Sequence, residues 1–403
     1  MSDLFWPGDE RAGDLFSQPA LLAAMLGVET AWLEALAGAG IAPAAAAVDL
    51  GSLIGPDEVA EVAESAETVG NPVVGMLGVL RERLDSPARE WLHRGLTSQD
   101  VVDTALMLCA RDVLARLATE LGTQISTLAE LSHAHRGTVM AGRTLTQYAV
   151  PITFGLKAAQ WLSGLLEARD QLGRILTPIQ VGGAAGTLAA TVELARASGT
   201  PDPVKTALAL TSEVSRRLGL ADASPWHTER SSVTRLGDAL VSATDAWGHV
   251  ANDVLALSRP EIAELTEPTG RGGSSTMPHK ANPILSVLIR RASLAAPGQA
   301  AQLHLAAAAQ VDERAEGGWH LEWSTLATLA RRTVVAASQA SELMAGLGVD
   351  AARMHANAES ALTDLLAEQR AFNPDATGGP TDYLGANHVL IDAVLDRART
   401  AIS

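Results

Sequence analysis

Apolar residues recur at three- and four-residue spacing through most of the chain, and the two-residue alternation of a half-buried strand is hard to find. The spacing predicts five long helices. One runs from about Ser98 to His133, with Val102, Ala105, Leu106, Cys109, Val113, Leu114 and Leu117 on one face. The others run from about Val150 to Leu176, from Ser232 to Glu264, from Asn282 past a bend at Pro297, and from Trp319 to Leu347. Shorter helices fill the first hundred residues or so and the tail after Asp350. Loops rich in Gly and Pro fall near 177–187, 219–231, 265–282 and 370–381, with no internal repeat. This divides the chain into an N-terminal helical part (1–96), a central long-helix part (97–347) and a small C-terminal helical part (348–403).

Helices of roughly 25–35 residues are about 40–50 Å long at the α-helical rise. The stretch from Ile152 to Leu176 is apolar almost all round, so it needs neighbours on every side. One chain cannot supply them all, and an oligomeric bundle is expected.

Composition narrows the partners. Hydrophobic residues make up 47% of the 403 and charged residues 19%, as in globular proteins. A net charge of −16 argues against nucleic acid or an anionic membrane surface. A site for an anionic substrate must therefore be basic against the global field. The single cysteine, Cys109, leaves no disulfide framework and reads as inert packing. The first residues lack a basic then apolar leader, and the longest uncharged stretch (292–311) holds Pro297, Gly298 and His304. A soluble cytoplasmic protein is expected.

The densest chemistry lies in the run Gly270 to Pro283, with three glycines, Ser274, Ser275, Lys280 and Asn282. Its glycines suit a mobile lid. Asn282-Pro283 reads as a helix start, which would put Lys280 and Asn282 where free N–H groups attract a carboxylate. The chain has only three lysines, so one inside this loop stands out. His93, Thr97, Ser98 and Asp100 precede the first long helix, and on residue type alone they also make a good N-cap. Thr146, Gln147 and Tyr148 precede the second. Gly182-Gly183-Ala184-Ala185-Gly186-Thr187 mimics a phosphate loop, but no strand or Gly-Lys-Ser/Thr accompanies it, so a tight connection is the better reading. The histidines show no metal-ligand spacing, and no dinucleotide or Walker motif occurs, so no cofactor and no metal are expected.

The pattern Gly-Ser-Ser-x-Met-Pro-x-Lys-x-Asn-Pro resembles the mobile loop of the fumarase/aspartase superfamily. Pro225-Trp226-His227-Thr228-Glu229-Arg230, Glu313-Arg314 through Glu322-Trp323, and Pro380-Thr381-Asp382-Tyr383 resemble segments of its 3-carboxy-cis,cis-muconate cycloisomerase branch. The resemblance implies an all-α fold of long helical bundles, assembled as a homotetramer with active sites shared between subunits. It implies Ser274 as catalytic base and Lys280 as the cation that stabilises an aci-carboxylate intermediate. His93, Thr97, Ser98, Thr146, Gln147, His227, Arg230, Ser275, Met277 and Asn282 would hold a small polycarboxylate substrate. Two departures stand out. Tyr148 replaces a histidine implicated in acid–base chemistry, and Ser231 replaces an aspartate. Tyr148 is expected to be packed, with a role as proton donor as the alternative. The implied activity is lactonisation of 3-carboxy-cis,cis-muconate. Its rivals are β-elimination from a substituted succinate (argininosuccinate, adenylosuccinate or nitrosuccinate type) and a non-catalytic helical relative.

Overall fold

The computed structural model describes residues 3–402 apart from 274, 278 and 279. The fold is built on long helices. Helix α1 (Gln18–Gly38) starts at Ser17, whose hydroxyl accepts from the Ala20 N–H. It is long and apolar enough to cross a membrane, but more than half of it is buried against the protein, and Glu29 and Trp32 lie in its core-facing side. Helix α2 (Ser98–Ala134) is the spine, 37 residues and therefore about 55 Å long. Helices α3 (Phe154–Leu172), α4 (Ser231–Leu257), α5 (Ile284–Ala308) and α6 (Gly318–Ala345) pack around it. Helix α7 (Asn387–Ile402) lies against α2 and α3.

Directions follow from the cross-links. Arg230, just before α4, meets Asp103 near the start of α2, and Trp247 of α4 donates to Gln124 farther along α2. Glu322, near the start of α6, joins the same end, and Ala337 accepts from Gln124. So α2, α4 and α6 run side by side in one direction, and α5 returns against them. Close approach of α4 and α5 depends on small residues: a Cβ at Gly237 would lie 2.7 Å from Leu303, and one at Gly248 would lie 2.5 Å from Ser293. Gln124 is buried yet fully used, accepting from Trp247 and donating to Ala337 and Ser341, so one side chain pins three helices.

Two expectations change. The second long helix begins at Phe154, not near Val150, because Gln147–Thr153 is a strand, β2, antiparallel to β1 (Val139–Thr144). This leaves α3 at 19 residues. The β-branched Val150, Ile152 and Thr153, with Pro151 among them, favour extended backbone over helix. A second short pair joins β3 (Leu265–Thr266) to β4 (Gly348–Val349).

Candidate active site

The sequence-identified residues fall at two ends of the bundle. At the start of α2, Thr97 is the cap residue, and its N–H donates to Asp100 Oδ2 at 3.0 Å. Asp100 is fully buried and organises this end. It also accepts from the N–H groups of Gly182 (2.9 Å) and Gly183 (2.9 Å) and from the Gln180 amide (3.1 Å). The glycine-rich loop therefore cradles a protein carboxylate rather than a phosphate, in keeping with a structural connection. Gly182 is required there, since a Cβ would lie 2.5 Å from the His227 ring. His227 is 5% exposed and lies 3.4 Å from Asp100 Oδ1, against the Gln180 amide.

Arg230 is placed differently from the expectation of a substrate ligand. It is buried, and its guanidinium is spent on Asp103 (2.7 and 3.1 Å) and Glu322 (2.5 to 3.1 Å). Burial opposes its charge, but the two carboxylates outweigh this and hold its pKa above the usual arginine value. Burial pushes the Glu322 carboxyl up, against the Arg230 hydrogen bonds that pull it down. Asp103 also accepts from Trp319 Nε1 (2.9 Å) and Gln99 (3.1 Å). The Glu-Trp segment thus supplies a buried ion cluster, with Trp319 and Trp323 packed edge to face at 4.7 Å. Arg314 crosses from the other side to the Thr97 hydroxyl (2.7 Å) and Gln99 (3.1 Å). Thr97, Ser98 and His93 remain partly accessible above this floor.

The other end carries the β1–β2 hairpin and the Gly-rich loop. The hairpin turns through Leu145 (φ 49°) and Thr146 (φ 72°), both in the left-handed region, which is strained for a β-branched residue. Thr146 and Gln147 are exposed, with the Gln147 amide donating to the Thr146 hydroxyl at 3.1 Å. Tyr148 is 45% exposed beneath the Arg143 guanidinium, so it is not the packed aromatic expected. Arg143 pairs with the buried Glu264 at 3.0 Å, tying the hairpin to the chain that leads into the loop.

Within the loop, Ser274 lies outside the described residues. Ser275, Met277 and Lys280 are exposed. The neck is clasped where Asn282 donates through its N–H and its amide to the Gly272 carbonyl, both at 2.9 Å. Arg271 of this loop pairs with Glu342 of α6, which also holds Arg11. Asn282 does not cap α5. Helix α5 starts at Ile284, and Glu267 takes the free N–H groups of Leu285 (3.0 Å) and Ser286 (2.7 Å). The anion at this helix start is a protein carboxylate where the sequence suggested a substrate's.

Glu29, Asp103, Glu264, Glu267 and Glu342 were not singled out from the sequence. Each is one carboxylate among 46 acidic residues, and only the packing shows which cation or N–H it meets.

Comparison with known proteins agrees with this architecture. Residues 24–298 match the family described as lyase. The chain is 41% identical over 365 residues to a nitrosuccinate lyase of Streptomyces davaonensis, covering 88% of this chain and 76% of that one. It is 36% identical over 385 residues to a 3-carboxy-cis,cis-muconate cycloisomerase of Bradyrhizobium diazoefficiens, covering 93% and 82%. The crystal structure of 3-carboxy-cis,cis-muconate lactonizing enzyme from Pseudomonas putida superimposes with a TM-score of 0.88 at 28% identity, over 100% of both chains. The long-helix fold and these matches together make the chain an enzyme of the fumarase/aspartase superfamily.

Proposed function

We propose that the protein is a cycloisomerase that lactonises 3-carboxy-cis,cis-muconate in a site shared between subunits of a homotetramer. The observation that carries the shared site is the separation of its parts. His93, Thr97 and Ser98 stand at one end of a helix about 55 Å long, and Thr146, Gln147, Tyr148 and the Lys280 loop stand at the other. A neighbouring subunit packed antiparallel brings one end against the other. Helix α5 carries a suitable surface, with Val287, Leu294, Ala301 and Ala308 exposed at seven-residue spacing and Leu305 beside them.

In the lactonising direction a carboxylate oxygen adds across a double bond conjugated to a second carboxylate. Charge gathers there as an aci-carboxylate, and its α-carbon then takes a proton. The reverse runs through the same intermediate, with Ser274 at the base position. Lys280 supplies the positive charge that favours this intermediate over the ground state. Thr97, Ser98, Thr146 and Gln147 hold the remaining carboxylates. His227 acts from below, through Gln180 and Asp100. No cofactor takes part, and the setting is the cytoplasm.

A second reading is favoured by the 41% identity to a nitrosuccinate lyase: β-elimination from a nitrosuccinate-type substrate to fumarate and nitrite. The two readings share a trait. The leaving group is a carboxylate or nitrite, which departs as an anion without being protonated.

The test mixes purified protein with 3-carboxymuconate, nitrosuccinate, argininosuccinate and adenylosuccinate and follows ultraviolet absorbance. Loss of the muconate chromophore is expected; turnover of nitrosuccinate alone selects the second reading, and turnover of neither rejects both. Mixing Lys280→Ala with Thr97→Ala subunits, each strongly impaired alone, should restore part of the activity. The absence of any complementation would rule out the shared site. Lys280→Ala by itself should lower kcat roughly 10²–10³-fold, and a change within about threefold would remove it from the transition state.

A further inference from the structure

Among the described residues, the buried carboxylates of this fold are well supplied with donors, with one exception. Both oxygens of Asp100 are filled by N–H groups, and those of Asp103 by Arg230, Trp319 and Gln99. Glu29 of α1 is equally buried but differs. Its Oε1 lies 2.5 Å from His93 Nδ1, and its Oε2 has no partner among the described residues. A buried carboxylate left half-satisfied is costly. Here it is spent on a single imidazole.

That imidazole is held twice. One helical turn after Glu29, Trp32 Nε1 donates to the carbonyl of Arg94 at 2.7 Å, fixing the backbone next to His93. His93 itself has φ 62°, a left-handed conformation uncommon outside glycine. Its side chain keeps 17% exposure, four residues before Thr97 and beside the start of α2. With Nδ1 committed to a carboxylate, Nε2 is the ring nitrogen left to meet a ligand.

We propose that Glu29 is a positioning residue that aims His93 Nε2 at the leaving anion of the substrate. This rests on the addition–elimination reading above. In the elimination direction the Cα–H bond breaks and its proton passes to the base on the Gly-rich loop. The electron pair forms the double bond, and the Cβ–O or Cβ–N bond breaks with its pair on the departing carboxylate or nitrite. His93, carrying a proton on each ring nitrogen so that Nδ1–H faces Glu29, donates a hydrogen bond from Nε2 to that anion, and no bond to His93 is made or broken. Tyr148, exposed on the hairpin, is then not needed as a donor.

The test compares Glu29→Gln, Glu29→Asp and His93→Asn with the wild type. Glu29→Gln and His93→Asn should each lower kcat by about 10–100-fold with little change in KM. The double variant should lose no more than His93→Asn alone, and Glu29→Asp should recover part of the rate. Independent losses that add, or a Glu29→Gln enzyme with unchanged kcat and only reduced stability, would overturn the proposal. ¹⁵N-histidine NMR of the wild type reads the pair without turnover. A low-field Nδ1–H resonance absent from His93→Asn is expected, and tricarballylate, a tricarboxylate with no leaving group, should shift the Nε2 signal. If the signal ignores tricarballylate, the proposal fails even where Glu29→Gln does not fold. If the wild type turns over none of the substrates but this shift is present, the functional reading fails and the positioning role stands.

Discussion

Replacing Arg230 by Met would separate structural from substrate-binding roles at the start of α2. The guanidinium is buried and supplies the cation for two buried carboxylates, through bonds of 2.5 to 3.1 Å to Asp103 and Glu322. Methionine fills much of the volume but leaves both carboxylates facing each other. Breaking a buried pair by removing one partner costs about 3–5 kcal/mol. Two orphaned carboxylates put this site at the upper part of that range. The variant should also gain a pH dependence. Burial already holds the Glu322 carboxyl above its ordinary value, and losing Arg230 removes what opposes that rise. A folded-state pKa above the unfolded one gives stability that is complete below the unfolded value and is lost as pH rises through the folded value. The deficit should therefore be larger at pH 8 than at pH 5. Urea denaturation followed by circular dichroism at the two pH values measures both effects. Adding Asp103→Asn and Glu322→Gln to Arg230→Met should return most of the loss, because no buried charge remains. A loss under about 1 kcal/mol, well below that range, together with a large rise in KM, would refute the reasoning and make Arg230 a substrate ligand after all.

Glu267→Ala should destabilise the start of α5 by about 0.5–2 kcal/mol, the usual worth of a helix cap, and speed hydrogen exchange at Leu285 and Ser286 in the free protein. Unchanged exchange there would mean that other groups satisfy those N–H groups. Cys109 is buried and its thiol is pushed up to about 12, chiefly by burial, so the native protein should resist thiol reagents at pH 8 and react only on unfolding. Rapid labelling of folded protein would contradict the packing of α2.

Much of the fold was legible because helical periodicity is local. The apolar face from Val102 to Leu117 fixed α2, and the structure starts it at Ser98 as expected. The hairpin was missed because Val150 to Thr153 is too short for its alternation to stand out beside the apolar run that follows. The Gly-rich loop was also plain in sequence, since the residue types of a lid and a cation are unusual in themselves. The partners of those residues were not legible. Asn282-Pro283 has the local form of a helix start, yet Glu267, 18 and 19 residues before Leu285 and Ser286, reaches their N–H groups first and leaves Asn282 to clasp Gly272. Arg230 has the local form of a carboxylate ligand. The approach of α2 and α6 brings Asp103 and Glu322 to it from 127 and 92 residues away. Glu29 and His93, 64 residues apart, meet in the same way. Residue type and period are properties of the chain, so the sequence by itself determined the helices, the superfamily and the chemistry available. Which charge neutralises which depends on distances of a few ångströms between remote segments, and only the tertiary structure decided that.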